Sequence, residues 1–437
     1  MSSLDATQMQ DGRPLKLSGI ASLALTGNLA GFLIVSYIPE MLGVNSRVAT
    51  VPFRALMLGF LIYACGRILK SGHLRMQMSP TSVLVIFFWI AYCSRFIVDA
   101  VVLQVPLGSP PAEMALYLFG IVIPTFIVLY LIRDIGLYRR ALIWTLLGLG
   151  TCCLISMLRT RTARDLAKSG TGYEANDVVN HILYGHMGVT AVILGLFVFL
   201  RIGRAGGTWY IRLLGGGVAC LGVFTVFASG SRGALVAGVL LIPIVFYLGW
   251  RRGSRLLTIS ASLALGLAFS ASVAYLSSNG MRIDRVLLSL TAYSTEENSV
   301  YYRQNMLRDA WREYLDNPLT GSSIVERNSL SYPHNVIVEG FMATGTFGGT
   351  AFVLMIILAS FRALRFMHTD PVTAWIPLCF LQQLIGSMFS GGLYGNMLLW
   401  GMMAIMLGAR MPNDRVRYMD RVGFHSQSEH EAVTLPI

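Results

Sequence analysis

Apolar residues fall in nearly uninterrupted runs of about 18 to 25 positions, separated by short polar stretches that hold most of the charge. A helix rises about 1.5 Å per residue, so each run is long enough to cross a hydrocarbon layer roughly 30 Å thick. The runs predict helices near 17–38, 49–66, 79–103, 114–132, 141–158, 182–200, 213–229, 234–250, 256–276, 335–361, 371–391 and 396–409. The expected fold is therefore an all-α polytopic membrane protein of about twelve transmembrane helices. It divides into an N-terminal bundle at 1–276 (helices 1–9), an extramembrane loop with short helices at 277–334, the last three helices at 335–410, and a polar tail at 411–437.

Composition agrees with this pattern. The chain has 437 residues, of which 54% are hydrophobic and 13% charged, more apolar side chain than a soluble core of that size could enclose. A net charge of +12 could suggest nucleic acid, but the cations sit in small clusters between apolar runs instead of on one face. The six cysteines lie inside or at the ends of apolar runs, without metal-ligand spacing, and read as small core residues.

The cations orient the bundle. With a cytoplasmic N-terminus, the short inner segments hold 20 of the 34 basic residues, from Arg13 and Lys16 through Arg133, Arg139 and Arg140 to Arg410, Arg415, Arg417 and Arg421. The outer connections near 104–113 and 392–395 hold none. This is the bias that cytoplasmic loops carry, and it puts both termini in the cytoplasm.

The basic residues that break the rule need another reason. Arg159, Arg161, Arg164 and Lys168 lie in the outer loop between the fifth and sixth helices. Arg232 stands in Ser229-Gly230-Ser231-Arg232-Gly233, interrupting nearly 40 otherwise uncharged residues. Arg282, Arg285, Arg303, Arg308, Arg312 and Arg327 crowd the long loop, and Arg54 and Arg95 lie within helices near their outer ends. In that loop Tyr301, Tyr302, Met306, Leu307, Trp311 and Leu315 recur at helical spacing, which predicts short helices lying over the bundle. Guanidinium groups gathered at a membrane surface suit an anionic ligand such as a lipid-linked diphosphate, because Arg binds phosphate oxygens bidentately. Structural readings stand beside this one: Arg95 and Asp99, four apart, suit an internal ion pair, the 159–168 cluster suits lipid headgroups, and Arg308 and Arg312 suit a solvated surface.

Of seven histidines, His181 and His186 open the sixth helix, and His334 stands in Ser331-Tyr332-Pro333-His334-Asn335 where the long loop enters the tenth. A histidine there can act as a base near neutral pH, or simply start a helix. Glu339, five residues on, reads as a structural polar residue.

Ser-Gly-Ser-Arg-Gly-Ala at 229–234, Tyr302-Arg303 with Met306-Leu307 and Trp311, Asn317-Pro318-Leu319-Thr320-Gly321, Pro333-His334-Asn335 and Gly345-Thr346-Phe347-Gly348-Gly349 form an ordered set. Together they resemble the signature region of the O-antigen ligase and polymerase superfamily, over roughly 213–360. The resemblance implies a GT-C-type glycosyltransferase of the bacterial inner membrane with its active site facing the periplasm. Its donor would be an undecaprenyl-diphosphate-linked O-antigen and, in a ligase, its acceptor a sugar hydroxyl of lipid A-core. By position His334 would be the base, and Arg232 and Arg303 would bind the diphosphate. Arg54, Arg95, Arg159 and Arg161 are further candidates for substrate contact. The resemblance implies inverting, metal-independent chemistry with no cofactor, and partners limited to these substrates and membrane lipids, without nucleic acid. An O-antigen polymerase or a protein O-oligosaccharyltransferase would carry the same motifs, and a transporter of lipid-linked glycans remains as a reading from another class. Internal repeats, common in transporters, are not visible here.

Overall fold

The computed structural model describes residues 13–41, 47–70, 79–159, 181–204, 208–278 and 298–410. The side chain of Arg159, and Arg161, Arg164, Lys168, Arg282 and Arg285 entirely, lie outside these residues, as does the tail from Met411.

Among the described residues, ten helices are long and apolar enough to cross a membrane, and the protein is a multi-pass membrane protein. They are α1 (Ser18–Tyr37), α2 (Val48–Lys70), α3 (Pro80–Val102), α4 (Pro111–Leu131), α5 (Ile135–Leu158), α6 (His181–Phe199), α7 (Trp209–Ser229), α8 (Arg232–Arg252), α9 (Arg255–Ser278) and α11 (Val336–Thr369). Between the last two lies α10 (Asn298–Asp316), and the chain ends in α12 (Trp375–Ser387) and α13 (Met397–Gly408). A helix provides every backbone group with a partner inside one segment where water is absent, which is why these runs fold this way. The runs expected at 371–391 and 396–409 are helical over only 13 and 12 residues. The chain leaves the helix between them at Ser390-Gly391-Gly392, where Gly391 takes φ +105°.

The six cysteines are free; Cys152, Cys153 and Cys379 are buried and the others half-buried. α6 is the most enclosed span. It meets α7 antiparallel through glycines: a Cβ on Gly188 would stand 2.8 Å from the Gly222 carbonyl oxygen, and one on Gly195 2.5 Å from that of Gly215. Such small residues let backbones approach where lipid supplies no hydrophobic drive between helices. An aromatic knot fixes the other side, with Phe88 of α3 stacked 5.0 Å from Phe352 of α11 and Trp89 4.4 Å from Trp400 of α13. At the end remote from α10, Arg252 donates to the Met367 and His368 carbonyls and Arg362 to those of Leu407 and Ala409. These arginines, which topology alone would place there, also satisfy the last carbonyls of α11 and α13.

α11 is broken at Gly345 (φ +67°, ψ −168°), and the break is what seats the loop. Thr346 N–H donates to Pro318 O at 2.7 Å instead of to its own helix, and the Met342 carbonyl accepts from Ser322 N–H at 2.7 Å. The segment 318–322 and the interrupted stretch 342–346 of α11, remote in sequence, are thus joined by backbone hydrogen bonds. Contact is so close that a Cβ on Gly345 would fall 2.2 Å from Leu319 O. Gly345→Ala is therefore expected to destabilise the protein by roughly 2 kcal/mol or more, from strain and clash together. Gly217→Ala, whose Cβ would meet nothing within 4 Å, serves as the control. Thermal unfolding in detergent checks this, and equal midpoints for the two variants would refute the assignment.

Candidate active site

The site is assembled at the end of the bundle that carries α10. α7 ends at Gly230, in the left-handed conformation at φ 60°, and α8 begins at once with Ser231 as its cap, accepting from Ala234 N–H. Ser229 Oγ accepts from Ser231 N–H at 3.1 Å. This Ser-Gly-Ser turn puts Arg232 on the first residue of α8, where free N–H groups and the helix dipole also favour negative charge.

Arg303 lies on α10, which turns Met306 and Ala310 inward. Of the apolar residues expected to recur on one face of α10, only Met306 is buried; Tyr301, Tyr302, Leu307, Trp311 and Leu315 are exposed, Trp311 while packing against Tyr314 and Phe341. The loop after α10 is knotted by Glu326, whose carboxylate accepts from Asn328 and Ser329 N–H, both at 2.7 Å. Arg327 N–H ties it to Glu313 of α10 at 2.8 Å.

The loop delivers His334 in a strained left-handed conformation, φ 59°. Buried Pro333 precedes it, and Asn335 follows as the cap of α11, accepting from Ile337 and Val338 N–H at 3.1 and 3.2 Å. Strain of this kind persists only where the surroundings impose it. The imidazole stands edge-on to Tyr332 at 4.7 Å, and its Nδ1 has no partner among the described residues.

Charge links these groups. Burial first, and then Arg303, push the His334 pKa down to about 4, so the ring is neutral at pH 7. Burial also lowers the Arg303 pKa, Tyr332 opposes that, and nearby Arg232 adds to it. The Tyr332 hydroxyl, hydrogen-bonded to Ser390, is raised by its burial. Arg232, Arg303, Tyr332 and His334 thus form one electrostatic neighbourhood, in which the two guanidinium groups repel each other.

Beside the cluster lies a cavity of about 400 Å³, whose wall includes Tyr332, Arg54, Glu113 and His186. Arg54 lines it with its guanidinium over the Tyr117 ring at 4.5 Å. Arg95 is held elsewhere: it pairs with Asp99, and Asp99 Oδ2 accepts from Ile324 N–H at 2.9 Å, so the pair anchors the 321–324 segment to α3. Glu339 is fully buried, and its Oε1 accepts from Leu393 N–H at 2.8 Å, fixing the turn beside Ser390. Among the described residues, no three His, Cys, Asp or Glu side chains converge as metal ligands.

Residues 216–353 match the sequence model of a family described as O-antigen ligase. The match supports the O-antigen ligase and polymerase superfamily. The chain matches no curated protein. The matched stretch contains Arg232, Arg303 and His334, whereas Arg54, His186 and the 390–396 turn line the neighbouring cavity from outside it. Sequence reading gave no role to Tyr332 or Ser390, and did not single out Asn28 or Gln383, which also line the cavity. Asn28 and Gln383 could have been found as amides inside apolar spans, positions that are costly without a function.

Histidine NMR on the labelled protein should show His334 titrating near 4, and Arg303→Met should raise that midpoint while burial keeps it below the ordinary 6.5. The sign follows from charge: removing a cation makes the imidazolium less costly. A wild-type midpoint at 6.5 would place His334 in solvent, away from Arg303.

Proposed function

We propose that the protein is an O-antigen ligase, which transfers glycan from an undecaprenyl-diphosphate donor to a sugar hydroxyl of lipid A-core at the periplasmic face of the inner membrane. The observation that carries this reading is the meeting of Arg232, Arg303 and a neutral His334 within the matched O-antigen ligase domain. The match itself supports a transferase of this superfamily, and the arrangement supports the particular chemistry.

In this reading the diphosphate bridges Arg232 and Arg303. As the anomeric C–O bond breaks, negative charge grows on the departing diphosphate, and fixed guanidinium groups stabilise that charge more than they stabilise the bound donor. The bound anion also offsets the field of Arg303 at His334. The imidazole then becomes a stronger base in the complex than in the free protein, as the acceptor hydroxyl needs when it loses its proton. A single displacement inverts the anomeric centre. The distribution of cations supports a periplasmic site, since the arginines of the cluster lie at the end of the bundle opposite Arg252, Arg362 and Arg410.

Purified protein in lipid nanodiscs, given lipid-linked O-antigen and lipid A-core, tests the proposal. The expected result is glycan on lipid A-core, undiminished by excess chelator. His334→Ala should lower kcat by about 10²–10⁴-fold and Arg303→Ala by about 10²–10³-fold. Chain growth on the lipid carrier alone would make it a polymerase, and no transfer to either acceptor would remove the enzymatic reading.

A further inference from the structure

α10 leaves a row of large apolar side chains uncovered. Leu307, Trp311 and Leu315 recur every four residues, which puts them in one stripe along the helix, and Trp311 and Leu315 are 42% and 57% exposed. Leu319, just past the end of the helix, is 65% exposed as well. The opposite face is taken up by the protein, with Met306 and Ala310 buried and Arg303 half-buried. In water, a stripe of this size would be an unfavourable surface for a helix outside the spans.

Its place in the fold says what covers it. α10 packs on α11, with Trp311 and Tyr314 against Phe341 and the Tyr314 and Thr346 hydroxyls 3.0 Å apart. Next to Thr346, Phe347 is 64% exposed, and with Leu354 and Phe361 it forms a row spaced by seven residues on one exposed face of α11. That face belongs to a membrane span, so it meets lipid. Arg362 lies at the remote end of α11, and counting back about 20 residues from it, roughly 30 Å of helix, reaches the edge of the hydrocarbon near the Gly345 break. Pro318 and Leu319 sit against that break, since Pro318 O accepts from Thr346 N–H. The apolar stripe of α10 and the lipid-facing row of α11 therefore meet at the depth where hydrocarbon gives way to headgroups.

We propose that α10 is docked on the lipid surface, with Leu307, Trp311, Leu315 and Leu319 in the headgroup–acyl boundary of the leaflet on that side of the bundle. Tryptophan beside leucine is the side-chain chemistry favoured at that depth, where one end of a ring is apolar and the other wet. Arg308 and Arg312, one residue on from Leu307 and Trp311, form a parallel exposed row. Arg312 has only a loose pairing with Asp309, at 3.4 Å, so both guanidinium groups can reach lipid phosphates while their stems lie along the apolar boundary. A soluble partner would have to enter the bilayer to cover Phe347 along with the stripe. The docking is independent of the reaction at the site, and it has a consequence for it: Arg303 lies on the opposite face of the same helix, so the lipid surface fixes its height above the spans.

Trp311 is its own probe. In nanodiscs of phosphatidylethanolamine and phosphatidylglycerol, its emission is the difference between the wild type and Trp311→Phe. Lipid brominated near the headgroup end of its acyl chains should remove most of that difference, and iodide in the water should remove little of it. In the Trp311→Phe background, Leu315→Trp should add an emission with the same pattern, one turn further along the stripe. Strong quenching by iodide with none by the brominated lipid would put the stripe in water, and quenching by neither would mean that protein covers it; either result overturns the docking.

Discussion

Backbone polarity in a water-poor medium governs this structure. A helix interrupted inside the bundle leaves amides and carbonyls that no solvent can satisfy, so an interruption survives only where another segment supplies partners. α11 is interrupted at Gly345, and the loop after α10 supplies them, with Pro318 O taking the Thr346 amide and Ser322 N–H meeting the Met342 carbonyl. That exchange pins residues 317–322 to α11, the Arg95–Asp99 pair pins 321–324 to α3, and the chain between these anchors and Asn335 has little freedom left. His334 is held at positive φ by attachments on both sides of it.

The electrostatics build on that scaffold. Arg232 is fixed by a two-helix turn and Arg303 by an amphipathic helix, so their mutual repulsion cannot be relieved by moving apart. In the proposed function that repulsion would favour an anion beside the neutral imidazole. Preorganisation of this kind stabilises developing charge without reorganising at the moment of reaction. Beside the cluster, the cavity is lined by charged, amide and tyrosine side chains together, among them Arg54, Glu113, Asn28 and Tyr332.

Much of this was legible in the chain. The apolar runs locate all ten spans, with larger errors at the start of α5 (Ile135 against 141) and the end of α11 (Thr369 against 361), because membrane solvation imposes a length and a composition that tertiary contacts rarely override. The motif set 229–349 was readable for a related reason: Gly230 and Gly345 each take a positive φ that side chains rarely adopt, and a histidine between proline and asparagine is an unusual helix entry. What pattern left open was whether Arg95 pairs with Asp99 or, like Arg54, reaches the site. Both are arginines near the ends of apolar helices, yet one faces the cavity and the other is spent on Asp99, since rotation about a helix axis decides which neighbour a side chain meets. The last two apolar runs were overestimated as full spans because glycine and serine at 390–392 leave hydropathy high while freeing the chain to turn.

The sequence by itself determined the membrane class, the place of each span, the side on which topological arginines gather and the identity of the residues that could do chemistry. These follow from composition and order along one dimension, where the bilayer acts as a uniform solvent. Only the tertiary structure decided that Arg232, Arg303, Tyr332 and His334 share one field, that Glu339 holds the 390–396 turn, and that Asn28 and His186 line one cavity. Those facts depend on which helix faces which, and that choice is made by glycine contacts between α6 and α7 and aromatic packing among α3, α11 and α13, interactions between residues far apart in the chain.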